Sequence, residues 1–244
     1  MARKRAAVLL VERGFFESRA RARAAIEAGG VSADGRLVAK PSEPLDEASE
    51  IVAAAAHPWV GRGALKLLHA FEAWPLGVAG AVVLDLGAST GGFTEVCLAR
   101  GAAKVYAVDV GRGQLHRALA ADPRVVSLEG LDARSLTSEH IAEPPGLIVA
   151  DLSFIGLAKA LPAALALAAP AADLVALVKP QFEVGPGHVG KGGVVRDAAA
   201  RDTALAAVAA FLAGAGWPVR ASGESPIPGG DGNRECLVWA RRAS

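Results

Sequence analysis

The chain has 244 residues, 52% of them hydrophobic and 21% charged, with a formal net charge of +1. That length fits one large domain plus a small one, and the near-neutral balance excludes a chain that is basic throughout. The two cysteines, Cys97 and Cys236, belong to no Cys-x-x-Cys pair, which argues against a zinc site or a disulfide framework and fits a reducing, cytoplasmic setting; no metal is expected.

Charge is concentrated at the start. Residues 1–23 hold Arg3, Lys4, Arg5, Arg13, Arg19, Arg21 and Arg23 against only Glu12 and Glu17. A basic end on a neutral body reads as a polyanion footprint or, more blandly, as a solvated helix face. Apolar spacing predicts a helix over Ala6–Arg13 that Gly14 stops. The apolar run Ala6–Val11 is too short for a signal peptide. Ser18 sits where an N-cap belongs, before a helix over Arg19–Ala28 that Gly29-Gly30 ends. Val31–Val38 reads as two short strands around the Asp34-Gly35 turn, and Ile51–Ala55 as a further strand. Residues 1–56 thus form a small α/β module, and 57–62 (His57-Pro58-Trp59-Val60 at its start) a linker.

From residue 63 strands and helices alternate, the pattern of a parallel α/β sheet. A helix is expected over Gly63–Trp74, with Leu65, Leu68 and Phe71 on one side. Strands are expected at Ala81–Leu86, Lys104–Val110, Arg124–Leu128, Leu147–Asp151 and Asp173–Lys179. Helices are expected near Phe93–Arg100, Gln114–Ala120, Ser135–Ile141 and Leu157–Ala168. A Gly-rich loop (Val184–Gly193), a helix (Ala198–Ala213) and a final pair of strands (Val219–Gly223, Glu235–Ala240) complete seven strands for residues 63–244. Ala160–Val178 has the length of a membrane span, but Asp173 costs about 2.5–3.5 kcal/mol at a bilayer centre, and Pro162 and Pro170 divide the run into helix, turn and strand, so no span is expected.

The chemistry-bearing pattern is D-x-G-x-x-x-G-G. An apolar strand runs into Asp85, then Gly87-Ala88-Ser89-Thr90-Gly91-Gly92, and a helix opens at Phe93. Glycines let a turn approach a ligand closely, and a helix N-terminus offers free N–H groups to an anion. The spacing is not G-x-G-x-x-G, so a nicotinamide fingerprint fits poorly. A strand-end acid beside such a turn suits a cofactor bearing an ammonium and a carboxylate, as S-adenosylmethionine does. Asp109 ends the next strand, about 20 residues on, where an acid binds ribose hydroxyls. Asp132 ends the third unit and is expected near the adenine.

Asp151 and Lys179 end the fourth and fifth strands, and strand carboxyl ends line the crevice of open α/β sheets. Together they are either a pair that activates a hydroxyl or a structural ion pair; a lysine base must be neutral, and a nearby carboxylate opposes that. Gly185–Lys191 imitates a phosphate loop, but Gly192 stands where Ser or Thr would hold the metal, so a loop beside the active site is the better reading.

With these residues in place the chain resembles, nearly end to end, the TlyA-type (haemolysin A-like) ribosomal RNA 2′-O-methyltransferases. Leu10–Gly14, Ser18-Arg19, Ala28-Gly29 and Val31 ahead of Gly35 resemble an S4-like RNA-binding domain. Asp85–Phe93, Ala107–Gly111 with Gln114-Leu115, Asp151–Ile155, Val178–Val184, Gly192–Val195 and Gly232–Glu235 resemble an FtsJ-type, Rossmann-like methyltransferase domain. The resemblance implies a catalytic tetrad, Lys66, Asp151, Lys179 and Glu235, acting on a cytidine ribose of ribosomal RNA or ribosomal subunits, with S-adenosylmethionine as donor. The seven basic residues above would hold the RNA. No metal is needed, because a sulfonium is already a good leaving group. Ala7, His57 and Cys236 depart from residues usual in the family and leave the tetrad intact. The competing readings are a non-catalytic RNA-binding or ribosome-assembly factor, a membrane-active haemolysin and a small-molecule methyltransferase.

Overall fold

The computed structural model describes residues 3–243, and the chain falls into two compact units, Met1–Pro58 and Trp59–Ser244. The small unit holds strand β1 (Arg3–Arg5), helices α1 (Ala6–Glu12) and α2 (Arg19–Glu27), and strands β2 (Val31–Ala33), β3 (Arg36–Leu37), β4 (Pro44–Asp46) and β5 (Ile51–Ala53). Ser18 caps α2 by accepting from the Arg21 N–H. Asp34 (φ 51°) and Gly35 (φ 73°) make the tight turn between β2 and β3, and β5 completes a three-stranded sheet. Two strands were not expected: β1 pairs antiparallel with β4, Arg3 opposite Asp46 and Arg5 opposite Pro44. Proline fits because a two-stranded ribbon leaves an edge that needs no N–H. Leu9, Leu10, Ile26, Val31 and Leu45 form the core of this unit.

The large unit runs α3 (Ala64–Ala73), β6 (Val82–Leu86), α4 (Gly92–Ala99), β7 (Lys104–Asp109), α5 (Arg117–Ala120), β8 (Val125–Glu129), β9 (Leu147–Ala150), α6 (Leu157–Ala160), α7 (Pro162–Leu167), β10 (Asp173–Val178), α8 (Pro180–Glu183), α9 (Ala198–Gly214), β11 (Val219–Glu224) and β12 (Cys236–Arg241). Seven strands form one sheet in the order β11-β12-β10-β9-β6-β7-β8, parallel except for β12, which is antiparallel to both neighbours. Alternate residues feed two cores. Val83, Val105, Val149 and Leu177 enter one, and Leu84, Tyr106, Ile148 and Val178 the other, as a sheet covered on both faces requires.

Four expectations need correction. The helix over Ser135–Ile141 does not form: Asp132 caps a single 3-10 turn (Ala133–Ser135), and the Thr137 N–H goes to His140 Nδ1 instead of a helical carbonyl. The helix over Leu157–Ala168 is broken at Pro162, which lacks the N–H an interior position needs. The Glu129 carboxylate gathers the N–H groups of Gly113, Gln114 and Leu115, so α5 starts only at Arg117. On α3 the fully buried face is Ala64, Leu67, Ala70 and Phe71; Leu65 and Leu68 are only partly covered, and Lys66 is buried. Trp59 and Val60, expected in the linker, pack on the large unit's core, and the Val60 N–H donates to Glu95 Oε2 at 2.6 Å. Among the described residues no helix is long and apolar enough to cross a membrane.

Candidate active site

The chain reverses direction across the sheet between β6 and β9, so the carboxyl ends of those strands part and leave a crevice. The turn after β6 fits there only with glycine. Gly87 has φ 79°, and a Cβ on it would lie 2.6 Å from the Asp151 carbonyl oxygen. Gly91 (φ 97°) opens α4 against the Leu115 and Leu119 side chains. Gly87→Ala therefore combines a left-handed strain with a backbone collision, about 2–4 kcal/mol together. Calorimetry and cofactor titration are expected to show lowered stability and at least about tenfold weaker cofactor binding; unchanged values would show that the turn tolerates a side chain.

A cleft of about 850 Å³ opens beside this turn, with Gly87, Ser89, Asp109, Asp132, Asp151 and Phe154 on its walls. Asp109 fastens two loops: its Oδ2 accepts from the Ser89 N–H at 2.8 Å and its Oδ1 from the Gly111 N–H at 2.7 Å. The Arg134 side chain and N–H hold the Asp132 carboxyl below its usual range. Ala88, Gly91, Gly92 and Phe93 lie buried behind the cleft wall, and Thr90 is exposed. Gly61 approaches the turn so closely that a Cβ there would meet Thr90 Oγ1 at 2.7 Å, a contact the sequence motifs do not signal.

Asp85 is fully buried. Its Oδ2 accepts from Thr94 Oγ1 at 2.6 Å, and its Oδ1 is buried without a hydrogen-bond partner. Burial pushes its carboxyl from 3.8 up to about 7, the Thr94 hydroxyl opposing and the Asp151 charge reinforcing. The native state therefore keeps a proton that the unfolded chain has released. Stability falls as pH rises from about 4 to about 7, and the cost, a few kcal/mol, is fully present above 7. Asp85→Asn is expected to raise Tm over the parent protein at pH 8 and to leave it level at pH 4. An equal effect at both pH values would contradict a buried, titrating carboxyl.

Four side chains named from the sequence meet at the carboxyl edge. Asp151 follows β9, Lys179 follows β10 and Glu235 precedes β12, whose register sets Cys236 opposite Val178 and so brings Lys179 and Glu235 to one end of the sheet. Lys66 reaches in from the first turn of α3. Its Nζ lies 2.6 Å from Glu235 Oε2 and 3.7 Å from Asp151 Oδ2, and Lys179 Nζ lies 2.6 Å from Asp151 Oδ1. Both lysines and Glu235 are more than nine-tenths buried, so each charge needs the next. The Lys179–Asp151 approach is too oblique to make a hydrogen bond; the aligned bond from Lys179 Nζ goes to Ser153 Oγ at 2.9 Å.

The loop carrying Ser153 is held in an unusual shape. Phe154 has φ 66° and is 91% exposed at the cleft mouth, 5.3 Å from the Phe182 ring. A bulky residue there stores about 1–3 kcal/mol of strain. Glu183 Oε1 takes the Leu157 N–H at 2.8 Å and pins the far side of the loop. On the opposite flank, buried Asn233 accepts from the Val195 N–H and donates to the Gly193 carbonyl, both at 2.9 Å, tying the Gly-rich loop to the segment that carries Glu235 into β12. Among the described residues no cluster of His, Cys, Asp or Glu is placed to hold a metal ion.

The small unit's basic residues divide into two sets. Lys4 is paired with Glu12 and Glu47, Arg23 with Glu27, and Arg13 donates to the Ser49 carbonyl. Arg3, Arg5, Arg19 and Arg21 make no ion pair among the described residues, and all but the partly covered Arg21 are exposed.

The strand order, the antiparallel β12 and a glycine turn after the first large-unit strand together define the methyltransferase class of α/β fold, joined to an S4 domain. The chain belongs to the FtsJ-like methyltransferase family, whose model matches residues 59–242; the S4 domain model matches residues 4–51. It is 50% identical over 234 residues to the 16S/23S rRNA (cytidine-2′-O)-methyltransferase TlyA of Mycobacterium tuberculosis, covering 95% of this chain and 87% of that protein. It is 38% identical to Hemolysin A of Brachyspira hyodysenteriae, covering 92% and 94%. A hemolysin-named protein from Streptococcus thermophilus superposes with a TM-score of 0.79 at 38% identity, over 100% of this chain and 90% of that one.

Proposed function

We propose that this chain methylates the ribose 2′-hydroxyl of a cytidine in ribosomal RNA, with S-adenosylmethionine as donor, in the cytoplasm where ribosomal subunits are found. The observation that carries the reading is the linked row Glu235–Lys66–Asp151–Lys179 beside the cleft. A cofactor fold kept only for RNA binding has no use for two buried lysines at that edge. The 50% identity to a cytidine-2′-O-methyltransferase supports the same acceptor.

The residues present fit the cofactor. The unpartnered Asp85 Oδ1 suits a cationic head group reached across the glycine turn, and the Asp109 carboxylate on the cleft wall suits ribose hydroxyls. In this reading Gly87–Phe93 form the cradle, and Asp132 lies toward the adenine. Bound there, S-adenosylmethionine supplies a methyl group on a sulfonium that departs as a neutral thioether. The protein's own work is proton handling and orientation. Lys179 receives the proton from O2′, Asp151 holds Lys179 in place, and Lys66, anchored by Glu235, fixes the second oxygen of Asp151.

Residues 1–56 dock the RNA, 57–62 link, and 63–244 carry the chemistry. Arg3, Lys4, Arg5, Arg13, Arg19, Arg21 and Arg23 form the RNA face, with the four unengaged arginines making most of the phosphate contacts. The test is transfer of label from methyl-labelled cofactor to ribosomal RNA. A 2′-O-methyl group blocks alkaline cleavage of the next linkage, so the label is expected in alkali-resistant dinucleotides with cytidine on the 5′ side. Label in mononucleotides would place the methyl on a base and overturn the assignment.

A further inference from the structure

Lys179 needs more than a nearby charge to act on a hydroxyl. An amine that takes a proton must keep its lone pair pointed at the donor, and a lysine stem rotates freely unless its N–H groups are held. In this site the carboxylate does not aim the amine alone, because the Asp151 Oδ1 approach, though 2.6 Å, is oblique. The aligned bond is to Ser153 Oγ at 2.9 Å. Ser153 is exposed on the cleft wall, two residues from Asp151, in the loop that Phe154–Phe182 and Glu183–Leu157 fix on either side.

We propose that Ser153 is a positioning residue for methyl transfer, an inference that rests on the reaction proposed above. Its oxygen accepts one N–H of Lys179 and Asp151 attracts a second, so the remaining valence of Nζ is the one open to the ribose. The step balances. The O2′–H bond breaks and its proton goes to the Nζ lone pair, giving an ammonium. The O2′–methyl bond forms, and the electron pair of the broken sulfur–methyl bond stays on sulfur. Ser153 accepts an N–H before and after the transfer, so it holds the aim without exchanging a proton.

The test compares Ser153→Ala with Ser153→Thr, which keeps the hydroxyl. In single-turnover methylation of ribosomal RNA, Ser153→Ala is expected to slow the rate roughly 10- to 100-fold, the range for a lost hydrogen bond to the ammonium charge that develops as the proton is taken up. RNA KM and cofactor Kd should stay within about twofold, and Ser153→Thr should recover the rate to within about threefold. A second readout needs no turnover. In protein carrying [ε-13C]lysine, the Lys179 signal, identified by its loss in Lys179→Arg, should shift and gain mobility in Ser153→Ala but not in Ser153→Thr. A wild-type rate in Ser153→Ala, equal slowing in both variants, or an unmoved Lys179 signal would each overturn the role. Absence of any methyl transfer by the parent protein would overturn the proposed reaction, and the lysine signal would still decide whether Ser153 holds Lys179.

Discussion

Lys179→Ala is expected to slow methyl transfer by about 10²- to 10⁴-fold, the range for removing a positioned proton acceptor, while cofactor affinity changes by no more than about threefold. The selectivity follows from the placement of the residue. Lys179 stands at the end of β10, is not among the residues that line the cofactor cleft, and makes its polar contacts with Asp151 and Ser153. Removing it leaves Asp151 with Lys66 at 3.7 Å, so the carboxylate keeps one cation and the fold persists. Lys179→Arg separates the two things a lysine supplies. Arginine keeps the positive charge but does not give up a proton, so it cannot serve as the acceptor. Loss of transfer in both variants, with intact cofactor titrations, identifies proton acceptance. Recovery in Lys179→Arg would show that the charge alone matters.

The second large effect concerns RNA. Replacing Arg3, Arg5, Arg19 and Arg21 together by Ala is expected to weaken binding to ribosomal RNA by about 100-fold at moderate salt. It should also flatten the plot of log affinity against log salt by about 3 to 4, close to one unit for each phosphate that is no longer neutralised. Lys4 and Arg23 already have acidic partners, so Lys4→Ala or Arg23→Ala should cost far less. Cofactor affinity should not change, since the cleft is built entirely by the other unit. Equal losses from the paired and the unengaged residues would show that net charge, rather than particular side chains, governs docking.

The centre of the large sheet was legible because β6, β7, β9 and β10 are buried on both faces and read as apolar runs closed by Asp, Gly or Lys. Two of the misread helices share a physical cause: their ends are set by side-chain hydrogen bonds rather than by apolar period. Thr137 with His140, and Glu129 with the 113–115 backbone, redirect N–H groups that a helix pattern would claim. Strand β1 was invisible because Arg-Lys-Arg carries no apolar alternation and its partner is a ribbon that includes Pro44. On α3, the apolar pattern misplaced the buried face. Lys66 occupies part of it, and its burial is tolerated only through Glu235, 169 residues away in sequence. Such a pair is beyond local reading and was named only through family resemblance. Asp109 and Asp151 were readable as strand-end acids. Ser153 was not, because a serine after a strand-end acid has no distinguishing pattern until Lys179 is seen to point at it. Gly61 was missed for a similar reason: its close approach to Thr90 exists only in three dimensions.

The most direct measurement is a nucleotide-resolution map of ribose methylation in ribosomal RNA from cells making the intact protein, the Lys179→Ala variant, or neither. The account predicts one or more cytidine 2′-O-methyl marks with the intact protein only. The same marks with Lys179→Ala, or no difference between cells with and without the protein, would contradict it.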